Sequence, residues 1–277
     1  MTVPSSAGVR VAVHELGGSG PALVLAHAAG LHGMVFAPLA ARLDGFRCVA
    51  FDGRGHGDTA LPDGCELDWP GLADDLLAVV DGLGLERPFA FGHSSGGTAA
   101  LLAEQARPGT FRAIYCFEPV LIPADPSIGR DEASWLAASA RRRRDAFASV
   151  DEALAHYAGR PPLAALHPDA LRAYVEHGFE GGGTGVRLKC RPEVEAAVYE
   201  TASAHDGWAR LGDVACPVMV AVGSASQGFV PDVAAAGAAR LPRGRTEVLD
   251  GLGHFGPLER PEVVAAAVRR FLAPVAG

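Results

Sequence analysis

Gly92-His93-Ser94-Ser95-Gly96 is a Gly-x-Ser-x-Gly run, preceded by the short apolar stretch Arg87-Pro-Phe-Ala-Phe91 and followed by Thr98-Ala-Ala-Leu-Leu-Ala-Glu-Gln-Ala106. The first stretch reads as a strand and the second, made mostly of strong helix formers, as a helix. A serine on the sharp turn between them is exposed and strained, able to attack a carbonyl carbon. Side chains at positions 92 and 96 would collide as strand and helix approach, so glycine there has a physical reason. On its own the pentapeptide equally fits a glycine-rich loop without a catalytic role. A serine hydroxyl is a weak nucleophile at neutral pH and needs a base, normally histidine, together with a third group that fixes the imidazole tautomer. Among ten histidines, His254 is the best-placed base. It sits in Asp250-Gly-Leu-Gly-His-Phe-Gly-Pro257, a short glycine-rich loop between the last strand pattern and a C-terminal helix, after Ser94 in chain order.

The elements that must position these groups alternate along the chain. Strand patterns fall at Val9–Glu15, Ala22–Ala26, Arg47–Phe51, Pro88–Phe91, Ala113–Phe117, Val218–Val222 and Thr246–Leu249. Helical patterns fall at Gly71–Leu83, Thr98–Ala106, Asp232–Arg240 and Pro261–Leu272. From Ala22 onward this alternation predicts a mainly parallel α/β sheet covered on both faces. The first two strands are expected to form an antiparallel hairpin turning at Gly17-Gly18-Ser19-Gly20. Between about Pro119 and His205 the rhythm changes to helices without a convincing strand, at Trp135–Phe147, Val150–Tyr157, Pro168–Phe179 and Pro192–Ala204, with Gly181–Gly185 as a flexible join. The expected organisation is a core of residues 1–118 and 206–277 with a helical cap inserted at 119–205.

Length and composition fit one enzyme-sized unit. The chain has 277 residues, 49% of them hydrophobic, enough to bury a substantial core. Its net charge of -8 is spread without blocks apart from Arg141–Arg144, and gives no footprint for nucleic acid. That arginine run falls in a helical pattern and reads as a solvated face. Five scattered cysteines without a C-x-x-C pair read as reduced thiols of a cytoplasmic protein. No leader pattern and no long apolar run appears, so neither secretion nor a membrane span is expected. The chain has no asparagine and a single lysine, Lys189, a bias of the kind a GC-rich genome produces.

Taken with three further segments, the chain is similar to members of the α/β-hydrolase fold superfamily over nearly its whole length. Leu25-Ala-His27-Ala28-Ala29-Gly30 resembles the His-Gly oxyanion loop after the third strand. Phe51-Asp52-Gly-Arg54-Gly55-His56-Gly57 resembles the Asp-x-Arg-Gly-His-Gly turn after the fourth, and Gly253-His254 with Glu259 and Pro261 resembles the histidine loop. The resemblance implies an eight-stranded sheet, and it places two backbone N–H donors for a developing oxyanion at Ser95 and Ala29, with Ala28 standing where glycine is usual. His27, Arg54 and His56 then read as residues that fix loops.

The third catalytic member departs from the family pattern. Most relatives carry an Asp soon after the strand at Val218–Val222, but Gly223-Ser-Ala-Ser-Gln-Gly228 has no carboxylate near Ser226. Asp232 begins a helix and suits a first turn there. Glu118 ends the strand after the nucleophile's own and precedes Pro119, which favours extended backbone at the sheet's C-terminal edge. A carboxylate buried there needs a partner, and the imidazole of His254 supplies one. Glu118 is therefore the expected acid, with Asp232 and Asp206 as alternatives.

Two other chemistries fail on the sequence. Gly251-Leu-Gly253-His-Phe-Gly256 satisfies G-x-G-x-x-G, but only 21 residues follow it, too few for the second strand and acid of a dinucleotide site. No H-E-x-x-H, paired cysteines or carboxylate cluster with ligand spacing suggests a metal. The expectation is a cofactor-free serine hydrolase acting on an ester, thioester or related acyl bond of a small molecule. The cap would set substrate shape, with Trp135, Tyr157, Phe179, Tyr199 and Trp208 as candidate lining. A C–C bond hydrolase, a lyase or acyltransferase on the same machinery, and a ligand receptor that retains it are the alternatives.

Overall fold

The structure, a computed structural model, describes residues 1–123, 129–183 and 185–276. The chain runs through β1 (Thr2–Pro4), β2 (Arg10–Gly17), β3 (Ala22–Ala26), β4 (Arg47–Asp52), β5 (Phe89–His93) and β6 (Ile114–Phe117). It continues through three short strands, β7 (Ala146–Phe147), β8 (Phe179–Gly182) and β9 (Gly185–Leu188), and then β10 (Val218–Gly223) and β11 (Gly244–Leu249). Eight of these form one sheet in the order β1-β2-β4-β3-β5-β6-β10-β11. Every pairing from β4 to β11 in that order is parallel, while β1, β2 and β4 pair antiparallel.

The strands are continuous apolar runs because both faces are covered. Leu23, Leu25, Phe89, Phe91, Tyr115 and Phe117 point into one core with the C-terminal helix Pro261–Ala276, while Val24, Ala26, Ala90, Ile114 and Cys116 point into the other. That second core is shared with the helices Trp69–Gly82 and Ser95–Ala106. The alternation follows from the two-residue period of strand side chains. With β5 flanked by β3 and β6, the loops that follow β3, β5, β6, β10 and β11 all leave the sheet's C-terminal edge, where ligands of open α/β sheets bind.

Two expectations are corrected. The first strands do not form a hairpin, since β2 pairs with β1 and β4, and β4 lies between β2 and β3. The Gly17–Gly20 turn instead passes tightly over the start of β4. A Cβ on Gly18 would lie 2.1 Å from the Phe46 carbonyl oxygen and one on Gly20 2.4 Å from that of Gly45. The segment after Pro119 also holds strands. Its helices Arg130–Arg141, Val150–Ala158, Pro168–Gly178 and Pro192–Glu200 are joined by the antiparallel sheet β7-β9-β8. The glycines read as a flexible join lie in the β8–β9 hairpin, Thr184 being outside the described residues, and Gly185 lets β9 approach β7, since its Cβ would lie 2.1 Å from the Phe147 carbonyl oxygen. Phe147 and Phe179 meet edge to face beneath this sheet, with ring centroids 5.8 Å apart.

The turn after β4 is held by a buried ion pair. Arg54 donates from Nε and Nη2 to the two oxygens of Asp75 at 3.0 and 2.9 Å, and both side chains are almost fully buried. Asp75 also accepts from the Arg54 N–H and the Ser5 hydroxyl. Breaking such a pair leaves an uncompensated buried guanidinium. Asp75→Ala is therefore expected to lower the unfolding free energy by about 3–5 kcal/mol, measured by urea denaturation. Among the described residues no helix is long and apolar enough to cross a membrane.

Candidate active site

Ser94 stands between β5 and the helix Ser95–Ala106 with φ 53° and ψ -120°, a conformation that a non-glycine residue rarely adopts. The glycines around it permit this turn. A Cβ on Gly92 would lie 2.5 Å from Gly96 and Gly97 backbone atoms, and one on Gly96 2.3 Å from the Ala26 carbonyl oxygen. The Ser94 N–H donates to the Phe117 carbonyl at 2.9 Å, tying the elbow to the neighbouring strand. Its side chain makes no capping hydrogen bond to the helix it begins.

His254 and Glu118 come together although 136 residues separate them. His254 Nδ1 donates to Glu118 Oε2 at 2.6 Å, which leaves Nε2 unprotonated in the neutral ring. The ring packs beside His93, whose Nε2 donates to the His254 carbonyl at 2.7 Å and so fixes the loop. Glu118 is 1% exposed and has φ 48°, so its backbone is left-handed and not the extended form that a following proline suggests. Two bonds hold that geometry: the Glu118 N–H donates to the Ala221 carbonyl, and Oε1 accepts from the Gly223 N–H, each at 2.8 Å. Burial pushes the Glu118 carboxyl up, but the His254 hydrogen bond and charge, then Ser226 and the Gly223 amide, hold it below the usual carboxylate range. The Ser226 hydroxyl approaches this carboxylate without meeting good hydrogen-bond geometry. The position where relatives carry their acid thus lies beside the carboxylate that Glu118 brings from the adjacent strand. Asp232, in the first turn of the helix Phe229–Arg240, and Asp206 are both solvent exposed.

The loop after β3 presents Ala29. His27 is buried, accepts from the Gly53 N–H on Nε2 at 2.9 Å and donates from Nδ1 to the Ala28 carbonyl at 2.8 Å. In a trans peptide the N–H points opposite to the C=O, so this bond turns the Ala29 N–H away from His27. The left-handed residue of the loop is Gly30, φ 76°, and Ala28 needs no positive φ. Ser95 is the first residue of its helix, and its N–H has no acceptor within that helix. His56 donates from Nδ1 to the Arg54 carbonyl at 2.9 Å, and with Arg54 it serves the turn.

Ala29, Ser94, Ser95 and His254 share one cavity of about 880 Å³, ample for a drug-sized ligand. Of the expected lining residues, Trp135, Tyr157 and Tyr199 face it. Phe179 is packed in the aromatic cluster with Phe147 and Tyr174, and Trp208 lies under Arg240. Trp69 lines the cavity and was not expected there. Arg141, Arg142 and Arg144 are solvent exposed, as a solvated face requires, but Arg142, Arg143 and Arg144 also line the cavity, a role the sequence did not show. The helix ends at Arg141, so its period no longer describes the residues that follow.

One group among the described residues has ligand atoms close enough for a metal, His14, Asp52 and Asp58. Asp52 already accepts from His14 and from the Gly33 and Asp58 N–H groups, and Asp58 pairs with Lys189, so these residues tie the turn after β4.

The model of the alpha/beta hydrolase family matches residues 23–267. The chain belongs to this family. Full-length likeness extends to "Putative carbamate hydrolase RutD" of Caulobacter sp. (strain K31), 28% identical over 94% of each chain. It extends equally to the lipase LipV of Mycobacterium tuberculosis (strain ATCC 25618 / H37Rv), 28% identical over 95% of this chain and 97% of the lipase. The crystal structure of E-2-(acetamidomethylene)succinate hydrolase superposes with a TM-score of 0.86 over 99% of both chains at 24% identity, which shows the family's fold.

Proposed function

We propose that the protein is a serine hydrolase that cleaves an ester, thioester or related acyl bond of a small molecule through Ser94, His254 and Glu118. The observation that carries this reading is the 2.6 Å bond from His254 Nδ1 to a buried carboxylate, in a cavity shared with a serine on a strained elbow. Ser94 Oγ attacks the acyl carbon while His254 Nε2 takes its proton, and Glu118 fixes the tautomer and stabilises the imidazolium. The carbonyl oxygen becomes anionic and accepts hydrogen bonds from the Ser95 and Ala29 N–H groups. The bond to the leaving group breaks as His254 returns the proton to it. Water then attacks the acyl-Ser94 ester, His254 takes one of its protons, and the acid departs as Ser94 Oγ is reprotonated.

In this reading residues 1–118 and 206–277 form the catalytic core, and 119–205 a cap that closes over the cavity. The relatives' names, a carbamate hydrolase and a lipase, fit hydrolysis at an acyl carbon without choosing the substrate. Purified protein should turn over members of a panel of short-chain p-nitrophenyl esters and acyl thioesters, with a burst of leaving group equal to the enzyme wherever deacylation is slower. Folded protein that hydrolyses no member would contradict the reading.

A further inference from the structure

The cavity has the opposite sign to the molecule. Among the described residues its charged lining comprises Arg142, Arg143, Arg144, Arg160, Glu132 and Glu195, in a chain whose net charge is -8. Two of the arginines are matched by carboxylates. Arg143 donates to Glu195 at 2.8 Å, and Arg144 donates to Glu152 at 2.6 Å while its guanidinium stacks over Phe147 at 4.2 Å. The other two have neutral partners. Arg160 Nη1 donates to His156 Nδ1 at 2.7 Å, and Arg142 Nη2 reaches the Ser139 hydroxyl at 3.4 Å. Arg142, Arg144 and Arg160 are solvent exposed and mark the mouth of the cavity, whereas Ser94 is 8% exposed on its floor. Partial burial, and then the Arg160 and Arg144 charges, hold the His156 imidazole below its ordinary value against the opposing Glu152 carboxylate.

We propose that this mouth is an anion subsite in which Arg142 and Arg160 receive a carboxylate or phosphate group at the end of the substrate's acyl chain remote from the scissile carbonyl. A planar guanidinium presents a fork of donors that matches both oxyanions, and two of them at the rim of a cavity draw an anionic substrate against the repulsion of a negative molecule. The sequence alone places Arg142 on a solvated face and gives Arg160 no role. The fold makes the site by ending the helix at Arg141 and bringing Arg160, just beyond the helix Val150–Ala158, to the same cavity.

The substrate class rests on the serine hydrolase reading, so the test has a catalytic arm and a binding arm. In the first, kcat/KM is measured for p-nitrophenyl esters of a series of ω-carboxy and ω-phosphono acids beside methyl-ended esters of equal length. The anionic member of at least one pair is preferred by about tenfold or more. That ratio falls toward one at high salt and in R142Q/R160Q, and persists in R172Q, an exposed arginine outside the cavity. In the second arm, glutarate, adipate and propylphosphonate are titrated calorimetrically into Ser94→Ala, with and without R142Q/R160Q, each confirmed folded by circular dichroism. At least one dianion binds, about tenfold more weakly in the double variant. Equal turnover of charged and neutral partners, or a preference that survives R142Q/R160Q, overturns the subsite. If no ester is hydrolysed but arginine-dependent anion binding remains, the hydrolase reading fails and the subsite stands. Absence of both preference and binding overturns the subsite.

Discussion

Ser94→Ala lowers kcat for any ester substrate by roughly 10⁴–10⁶-fold, leaving only the residual acceleration that binding and oxyanion stabilisation provide. The expectation is large because, in the proposed mechanism, the loss removes the atom that forms the acyl-enzyme. The change should leave the fold intact. The elbow's shape is set by Gly92 and Gly96, by the backbone bond from Ser94 to Phe117 and by the helix that follows, while the Ser94 side chain makes no capping bond. Circular dichroism and the urea midpoint check that the variant is folded, so a lost rate reports chemistry.

Glu118→Gln lowers kcat by roughly 10³–10⁴-fold, while Asp232→Asn and Asp206→Asn stay within about twofold of wild type. Glutamine keeps the shape but removes the charge that stabilises the imidazolium, and its amide can donate to His254 Nδ1 and so favour the wrong tautomer. Asp232 and Asp206 are exposed, and the carboxylate bonded to His254 is that of Glu118. A pH signature accompanies the rate. The carboxyl of Glu118 is held below its ordinary value in the folded protein, so its contribution to stability is present above the unfolded carboxylate pKa and is lost as pH falls through the depressed folded value. The difference in unfolding free energy between wild type and Glu118→Gln should narrow over that acidic window, measured by urea denaturation at stepped pH. Full activity in Glu118→Gln together with a collapse in Asp232→Asn would move the acid to Asp232.

What could be read from the sequence was what short-range geometry dictates. Gly92 and Gly96 announce the elbow because no Cβ fits there, and a β-to-α alternation announces a parallel sheet because both of its faces must be apolar. The meeting of Glu118 with His254 was legible from a carboxylate at the end of an apolar strand that needs a partner, read together with the family resemblance. What failed depended on contacts distant in the chain. The Gly17–Gly20 turn looks like a hairpin until β4 is seen to lie between the strands it joins. The strands β7, β8 and β9 are two to four residues long, too short to show a period, and they bring Phe147 and Phe179, distant in the chain, into contact. Arg142–Arg144 continue a helical pattern in sequence, yet leave the helix and turn to the cavity. The left-handed backbone of Glu118 could not be foreseen either, since it is imposed by bonds to Ala221 and Gly223 on the neighbouring strand and the loop beyond it.

Whether Ser94 is the nucleophile of a working acyl-transfer site is read by intact-mass measurement after treatment with an activated alkyl phosphonate. One phosphonyl adduct per chain is expected in the wild type, mapped by peptide sequencing to Ser94, and none in Ser94→Ala. A folded wild type that takes up no adduct, or an adduct that persists at another residue in Ser94→Ala, would contradict Ser94 as that nucleophile.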